Sequence, residues 1–355
     1  MFLTIVIFVF VLGLLVFVHE LGHFLAARAA KVKVEEFGFG FPPKIWSKKV
    51  GTTIYSINLI PLGGFVKLYG EEGKHLKDPK SFFAKPLASR FWVIVAGVLM
   101  NLVLAWVLFW FGFNVGLPVT STPADQIKNA KVTQEVIISE ALPDTPAQKA
   151  GLSRGDIVIA GNGQAITTPE QLSEFTQNHI GQKADFTIKR YGLKKNLEIT
   201  LSKDKKAPLG VAVLESERVK VPFFQAPIVA IKEIYNLIKL IVLTLIGFFA
   251  TLFATGKATD VGTGPVGIWF IFKVATKLGL PYILQLTALI SVNLAIINIL
   301  PFPALDGGRL IFWMIEAVSR KRVAPRIEGI IHAIGFAILI ALIILITFRD
   351  IMNLK

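Results

Sequence analysis

Two histidines and a glutamate near the start of the chain have the spacing that metal-dependent peptidases use. His19, Glu20 and His23 form the pattern H-E-x-x-H. Residues four apart share one face of an α-helix, so both imidazoles can bind one Zn²⁺ while Glu20 polarises a water molecule beside them. The flanking residues 2–18 and 24–27 have the apolar composition of a bilayer span. Because ionisable groups are costly in such a span, we expect these three to be functional, with the two histidines binding a metal within the membrane.

A zinc site of this kind needs a third protein ligand and leaves one position for water. The sequence has no Cys, so the ligand is a histidine or a carboxylate. His179 belongs to a segment that the sequence places outside the membrane, and His75 and His332 are interpreted as interfacial or packing residues. Asp306 is the favoured third ligand.

Asp306 follows a segment in which Pro301 and Pro303 end an apolar run. Proline breaks a helix and frees backbone groups, which are tolerated at membrane depth only where protein or a watery cavity receives them. Two glycines follow, so the aspartate can bend toward a metal. From this segment alone, an ordinary aspartate at a helix end is an equally good interpretation.

The composition is that of a membrane protein. Of 355 residues, 53% are hydrophobic and 17% are charged, and the mean hydropathy is +0.61, more than a soluble domain needs. The formal net charge of +14 could suggest nucleic acid as a partner. The basic residues cluster in loops beside apolar runs, however, which favours membrane topology and contact with anionic lipids and argues against nucleic acid. The lack of Cys excludes disulfides and a cysteine nucleophile.

Four apolar runs are long enough to span a bilayer. The first could instead be a signal peptide, but it lacks a basic leading region and a small-residue cleavage site. The loops after the first run and before the last are rich in Lys and Arg, so the positive-inside rule places both in the cytoplasm and puts His19 and His23 toward the cytoplasmic end of their span. The four predicted spans are residues 2–27, 91–117, 281–300 and 330–348.

A fifth apolar stretch, residues 234–254, is long enough to span on hydropathy alone. If it crossed the membrane, the basic loop at 320–326 would lie on the wrong side. We therefore expect an interfacial or re-entrant helix, a position that Lys232, Glu233 and Lys239 on its leading turns suit. A true fifth span with a weaker charge rule is the alternative.

Residues 125–215 have mixed polarity, short alternating strands and frequent turn residues, which predicts a soluble domain between spans. The motifs A-G-L at 150–152, G-D at 155–156 and N-G at 162–163 resemble those of bacterial PDZ domains. Leu209, Gly210 and Val211 resemble their peptide-carboxylate loop, placed at the end as in circularly permuted members. PDZ domains bind peptides by adding a strand to the edge of their sheet. An unrelated small β-rich domain is the alternative.

Residues 32–41 and 52–68 are alternating or β-branched, with glycines between them. Hairpins of this kind near the cytoplasmic membrane face could dip into the protein and offer a strand edge to a substrate. The peptide bonds of a helix are shielded, so a protease in the bilayer must first extend its substrate. Strand addition would offset the lost helical hydrogen bonds.

Together these features resemble the site-2 protease family of intramembrane zinc metalloproteases, of the bacterial regulator-of-sigma-E protease (RseP) type, over essentially the whole chain. F-G-F-G-F-P-P at 37–43, I-P-L-G-G-F-V-K at 60–67 and G-P-V-G-I at 264–268 also recur in that family. A departure is the single PDZ domain, where the best-known members have two. This departure leaves open how the size of the substrate is controlled.

The resemblance implies a role for several residues. It implies that His19, His23 and Asp306 bind Zn²⁺ and that Glu20 is the general base and acid. It further implies that residues 32–68 form a membrane-reentrant β-loop. The residues expected to bind substrate are Asn298, Gly63, Gly64 and Phe65.

We therefore expect a multi-pass α-helical membrane protein with four transmembrane helices, a membrane-associated β-hairpin loop and one inserted periplasmic PDZ domain of the α+β class. The expected regions are 1–117 with the H-E-x-x-H helix, the PDZ domain at 125–215, a PDZ C-terminal region at 220–280, and 281–355 with the third ligand and the last span.

The expected function is a zinc endopeptidase of the bacterial inner membrane, with its active site near the cytoplasmic face, that cleaves transmembrane segments of single-span proteins. The resemblance implies trimmed anti-sigma factors and signal-peptide remnants as substrates. A non-enzymatic adaptor that captures peptides would not need Glu20. A transporter that uses His, Glu and Asp as a proton or metal relay predicts internal repeats, and none is visible in the sequence.

Overall fold

The computed structural model describes residues 2–73, 75–256 and 264–352. The chain divides into two compact units. The first unit comprises Met1–Ala105, Leu237–Ile268 and Thr287–Lys355, and the second comprises Trp106–Asn236 and Trp269–Leu286.

The helices in chain order are α1 Phe2–Ala29, α2 Leu87–Val115, α3 Pro146–Lys149, α4 Pro169–Asn178, α5 Ala226–Thr255, α6 Pro265–Leu278, α7 Leu280–Ile299, α8 Asp306–Ser319 and α9 Pro325–Met352. The strands are β1 Val34–Val50, β2 Thr53–Leu68, β3 Leu117–Pro118, β4 Lys131–Ala141, β5 Ile157–Gly161, β6 Gln164–Ala165, β7 Lys183–Arg190, β8 Leu193–Thr200 and β9 Val211–Lys220.

Among the described residues, five helices have the length and composition to cross a membrane: α1, α2, α5, α7 and α9. Four of them overlap the four spans that the sequence predicts, although α2 ends at Val115 and α7 at Ile299, one or two residues before the predicted ends. The fifth, α5, is a continuous helix of 30 residues that includes the stretch 234–254. Its length and composition place it with the other candidates, so the interfacial placement of this stretch and the total of four spans stay predictions. The chain is a membrane protein with an inserted β-rich domain.

In the first unit, α1 and α2 pack against the β1–β2 hairpin around a core of apolar and aromatic side chains. Phe24 of α1 contacts Phe37 of β1, with ring centroids 5.2 Å apart. Val93 of α2 belongs to the same core cluster. The core therefore fixes the hairpin next to the part of α1 that carries the histidines.

The hairpin is folded back on itself. Gly38 of β1 pairs with Ser56 on one side and with Phe65 on the other, so the first half of β1 lies between two segments of β2. The pairings assigned within the described residues give segment 64–68 no second strand neighbour. Residues 64–68 therefore form an edge that can accept another strand.

A partly exposed ion pair stabilises the centre of the hairpin. Glu36 accepts a hydrogen bond of 2.6 Å from Ser56 and pairs with Lys44 at 2.6 Å. Burial alone would raise the pKa of the Glu36 carboxyl, but the bonds from Lys44 and Ser56 outweigh it and hold this pKa below its ordinary value.

In the second unit, an antiparallel sheet has the strand order β3-β9-β4-β5-β7-β8, with β6 paired to β5. Its core includes Val136, Phe186 and Ile188, which are fully buried, together with Leu172 and Phe175 of α4. The sheet extends beyond the predicted domain of residues 125–215, because β9 continues to Lys220 and β3 pairs with its end. We call residues 117–220 the β domain.

The helix α6 and the start of α7 pack on the β domain. Ala275, Leu278 and Tyr282 form an apolar cluster with Ile137 and Ile157. Polar bonds surround this cluster: Lys277 donates to Ser153 Oγ at 2.7 Å, and the Tyr282 hydroxyl donates to Glu135 at 2.9 Å. Most of α6 and the start of α7 thus belong to the same compact unit as the β domain.

Candidate metal centre

The helix α1 presents His19 and His23 on one face. Their Nε2 atoms are 3.2 Å apart, and their ring centroids are 4.8 Å apart. His19 is buried and His23 is half-buried. The spacing of four residues therefore brings both ring nitrogens to one point, as helical geometry requires.

Asp306 completes this point from a distant part of the chain. Its Oδ2 atom is 3.1 Å from His19 Nε2 and 3.2 Å from His23 Nε2. The helix α7 ends at Ile299, the chain turns through residues 300–305, and Asp306 is the first residue of α8. The two prolines thus lie in a break between two helices.

The glycines after Asp306 do not bend the chain, because both lie in the first turn of α8. They permit close packing instead. A Cβ atom at Gly307 would overlap the carbonyl oxygens of Ile299 and Leu300, and one at Gly308 would be 2.5 Å from the carbonyl oxygen of Phe302. The first turn of α8 therefore packs directly on the chain that leaves α7.

The three ligand atoms fit a zinc ion. With zinc bonds of about 2.0–2.1 Å, two ligand atoms of a tetrahedral site lie about 3.3 Å apart. All three distances between the ligand atoms of His19, His23 and Asp306 are close to that value. Two imidazoles and one carboxylate also leave the fourth position for water, as in catalytic zinc sites.

The helix α2 sets the orientation of both imidazoles. His23 Nδ1 lies 2.8 Å from the carbonyl oxygen of Val93 and donates to it, which leaves Nε2 free to bind a metal. The side-chain amide of Asn101 lies 3.3 Å from His19 Nδ1. Gly97 lies between Val93 and Asn101 and allows α2 to approach the histidines of α1 closely, since a Cβ atom at Gly97 would be 2.8 Å from His19 Nε2. Val93, Gly97 and Asn101 are spaced by four residues on one face of α2.

Asn101 is fully buried. If His19 binds a metal through Nε2, its Nδ1 carries the proton, and the acceptor must be the amide oxygen of Asn101. The atom placed at 3.3 Å from His19 Nδ1 is Asn101 Nδ2, so this assignment exchanges the nitrogen and oxygen of the amide. The exchange also gives a partner to Asn101 Oδ1, which otherwise lacks a hydrogen bond within the described residues. Ser291 of α7 donates to the backbone oxygen of Asn101 at 2.7 Å, which ties this part of α2 to α7.

Sequence reasoning missed this supporting face of α2. A signal was present, because an asparagine within an apolar span is costly unless it has a partner. The pattern G-x-x-x-N at 97–101 places a small residue one helical turn before it. That this face meets His19 and His23 depends on long-range packing, which the spacing does not reveal.

Two further predicted residues lie at the metal centre. The Nδ2 atom of Asn298 is 3.5 Å from His19 Nε2. Glu20 is half-buried and lies beside the edge segment 64–68 of the hairpin, since a Cβ atom at Gly64 would be 3.1 Å from Glu20 Cγ. The structure thus brings the hairpin edge next to Glu20.

The other predicted residues lie elsewhere. Gly63 lies in β2 with a φ of +112°, directly before the edge segment, and Phe65 packs against Gly38. Leu209, Gly210 and Val211 belong to the β domain. There the carbonyl oxygen of Leu209 accepts from Ala147 at 3.0 Å.

The remaining histidines have other contacts. His75 stacks on Tyr69 with ring centroids 4.8 Å apart, and His179 Nδ1 lies 2.8 Å from the carbonyl oxygen of Phe175. His332 Nδ1 accepts a hydrogen bond from the backbone N–H of Ala304 at 2.9 Å. Among the described residues, His19, His23 and Asp306 form the cluster of side chains that could hold a metal ion.

A buried ion pair connects α8, which carries Asp306, to α2. Both terminal nitrogens of Arg90 donate to Glu316, at 2.8 and 2.6 Å, and Arg322 donates to the same carboxylate at 2.9 Å. The Arg90 side chain is only 4% exposed. The hydrogen bonds from Arg90, assisted by Arg322, hold the pKa of Glu316 below its ordinary value despite burial.

The fold and the site define a class of protein: a membrane protein whose helices bring two histidines and an aspartate together in an arrangement that could hold a metal ion. The sequence model described as Peptidase family M50 matches residues 7–342. The chain therefore belongs to this family, that of the site-2 proteases, and is a metalloprotease that uses Zn²⁺.

Similar proteins agree with this assignment. The zinc metalloprotease RasP of Geobacillus kaustophilus is 31% identical over 431 residues, covering 98% of this chain and 97% of its own. RasP of Oceanobacillus iheyensis is 28% identical over 439 residues, covering 99% of each chain. A Clostridium acetobutylicum protein whose name also contains the words zinc metalloprotease is 32% identical over 354 residues, covering 99% of this chain and 98% of its own.

Proposed function

We propose that the chain is an intramembrane endopeptidase in which His19, His23 and Asp306 bind the zinc ion and Glu20 transfers the proton. The observation that carries this proposal is the convergence of three ligand atoms within 3.2 Å of one another from α1 and α8. Because α1 is a candidate span, the chemistry would take place within the membrane.

A zinc ion held by these residues would act as a Lewis acid that polarises the scissile carbonyl, and it would lower the pKa of its bound water toward about 7. Glu20 takes the proton from the attacking water and returns it to the leaving amine. Asn298, with its amide next to His19, is placed to donate a hydrogen bond to the substrate near the reacting carbonyl. Val93 and Asn101 keep both imidazoles in the ligating orientation.

We propose that the substrate is the transmembrane segment of a single-span membrane protein, bound in extended form. The edge segment 64–68 is open for strand addition and lies beside Glu20 at Gly64. A substrate strand paired with this edge would gain backbone hydrogen bonds that offset those lost when its helix unwinds. The peptide bond next to Gly64 would then lie within reach of Glu20.

The β domain supports the finer assignment of a PDZ domain. Its strand β9 directly follows Leu209 and Gly210, which we propose as the carboxylate loop, and α4 packs into the same core as these strands. We propose that it lies in the periplasm of a bacterial inner membrane and excludes substrates with bulky external parts, such as untrimmed anti-sigma factors. The basic loops would contact anionic lipids on the cytoplasmic side.

The experiment is cleavage of a single-span substrate by the purified chain in lipid vesicles, with the cut site determined by mass spectrometry. We expect a cut within the apolar segment of a substrate that lacks its external domain, and slower cleavage of the same substrate with the domain attached. A cut in a soluble loop would contradict the intramembrane assignment. Equal rates for both substrates would contradict size exclusion.

A further inference from the structure

The turn between α7 and α8 carries Asp306, and a neighbouring helix holds it from the side. The backbone N–H of Ala304, two residues before Asp306, donates to His332 Nδ1 of α9 at 2.9 Å. We propose that His332 is a positioning residue of the metal centre: by holding the Ala304 peptide it sets where Asp306 presents its carboxylate. This inference rests on the proposed ligand role of Asp306.

Ala304 adopts a backbone conformation that needs support. Its φ is +79°, a region that L-residues other than glycine rarely enter. Such conformations persist only where the surrounding structure holds them, and they occur often at functional sites. The bond to His332 engages the strained residue itself, so it opposes relaxation of the turn at the point where relaxation would begin.

A second contact from the same face of α9 acts on the adjacent residue. Gly335 follows His332 by three positions and is therefore its neighbour on the helix surface. A Cβ atom at Gly335 would be 2.6 Å from the carbonyl oxygen of Pro303. The absence of a side chain at Gly335 thus allows the turn to pack directly on α9, where His332 can reach it.

The acceptor role of His332 determines its tautomer. Because Nδ1 accepts the N–H of Ala304, the proton of the neutral ring is on Nε2. The ring also packs near Phe312 of α8, with centroids 5.6 Å apart. His332 therefore contacts both the turn before Asp306 and the helix after it, and it contributes no ligand atom to the metal.

The position of Asp306 controls how well the three ligand atoms match zinc. Loss of a supporting partner of a metal ligand typically weakens metal binding by about 10–100-fold. If the turn relaxes, Oδ2 of Asp306 leaves its place 3.1 Å from His19 Nε2. Zinc affinity is therefore the quantity that reports on His332, and it can be measured without substrate.

The experiment measures zinc affinity by chelator competition on the full chain in detergent, for the wild type, His332→Leu and His332→Asn. The Asn oxygen stands close to the position of Nδ1 and can accept the same N–H. We expect His332→Leu to bind zinc at least tenfold more weakly and His332→Asn to bind it nearly as well as the wild type. Equal weakening by both, or unchanged affinity of His332→Leu, would overturn the proposal.

A second pair of variants tests the backbone strain at Ala304 directly, so the test does not depend on the folding of a single variant protein. Ala304→Gly makes the positive φ accessible without support, so adding it to His332→Leu should recover most of the lost zinc affinity. Gly335→Ala should weaken zinc by about tenfold with His332 intact, because the methyl group displaces Pro303. No recovery in the double variant, or an unchanged zinc affinity of Gly335→Ala, would overturn the proposal.

The same zinc-affinity measurement tests the ligand role of Asp306 and the positioning role of His332 separately. Asp306→Ala serves as the reference in the same measurement. If Asp306→Ala keeps the zinc affinity of the wild type, the proposed ligand set fails. If Asp306→Ala loses zinc but His332→Leu does not, the ligand set stands and the positioning role of His332 is wrong.

Discussion

Gly97 of α2 lies directly against His19 of α1, so that a Cβ atom at Gly97 would be 2.8 Å from His19 Nε2. It would also overlap Nε2 of His23. This helix contact defines one wall of the metal centre. It leaves room for two imidazoles and for no side chain between them and α2.

Gly97→Ala should therefore displace both imidazoles. We expect zinc affinity to fall by at least about tenfold, and cleavage to fall with it, although alanine favours the helix more than glycine does. Gly247→Ala in α5 is the matched control, since the structure shows nothing within 4 Å of a Cβ atom there. Zinc titration of both variants checks this. A Gly97→Ala protein that binds zinc as tightly as Gly247→Ala would show that the close contact at Gly97 does not position the two imidazoles.

Asn101→Leu keeps the approximate side-chain volume but removes the partner of His19 Nδ1. Without this acceptor the imidazole loses both its tautomer preference and its orientation, so we expect about 10–100-fold weaker zinc binding. Asn293→Leu in α7 is the control, because the hydrogen bond of the Asn293 side chain within the described residues goes to the carbonyl oxygen of Leu289 in its own helix. Equal zinc affinities of the two variants would show that Asn101 does not support the site.

Glu316→Gln should destabilise the contact between α2 and α8. The change leaves the buried guanidinium of Arg90 without its charged partner, which costs about 1–3 kcal/mol, and we expect a lower temperature of thermal inactivation at neutral pH. Because folding lowers the pKa of Glu316 from its ordinary 4.5, its stabilising effect is full above that value and is lost as the pH falls through the lower folded pKa. The difference between wild type and variant should therefore narrow below about pH 4.5.

A surface pair provides the control for Glu316. Glu198 pairs with Lys183 at 2.7 Å, but both side chains are more than half exposed. An exposed pair of this kind contributes little to stability, so Glu198→Gln should change the inactivation temperature little at any pH. A Glu316→Gln protein that behaves like Glu198→Gln would mean that the Arg90 pair does not stabilise the fold.

The proposed topology can be tested by labelling, since the chain has no cysteine of its own. A cysteine introduced at Asn162 should react only with reagent outside the inner membrane, and one at Lys321 only with reagent in the cytoplasm. A cysteine at Thr255, the last residue of α5, should not react exclusively from the cytoplasm. Exclusive cytoplasmic labelling at Thr255 would show that α5 crosses the membrane and that the expectation of four spans is wrong.

The family, the zinc cofactor and the membrane class could be predicted from the sequence because they depend on local patterns. The spacing of His19 and His23 follows from helix geometry, and the apolar runs follow from composition. The choice of Asp306 used the two prolines before it. The structure brings Asp306 to the histidines, and its role as a ligand stays a proposal.

The supporting residues could not be predicted because they act across the chain. Asn101 contacts His19, which is 82 positions away in the sequence, and His332 contacts Ala304, which is 28 positions away. Neither spacing has a signature in a single sequence. The pairing of Gly38 with both Ser56 and Phe65 also could not be predicted, because alternating residues indicate strands without specifying their partners.

The central claim is that Glu20 performs chemistry at a zinc ion bound by His19, His23 and Asp306. Zinc content and cleavage of a transmembrane substrate, measured on the same purified preparations of wild type, Glu20→Gln and Asp306→Ala, test it most directly. We expect Glu20→Gln to keep its zinc and lose cleavage, and Asp306→Ala to lose both. Near-normal cleavage by Glu20→Gln, or wild-type zinc content in Asp306→Ala, would contradict it.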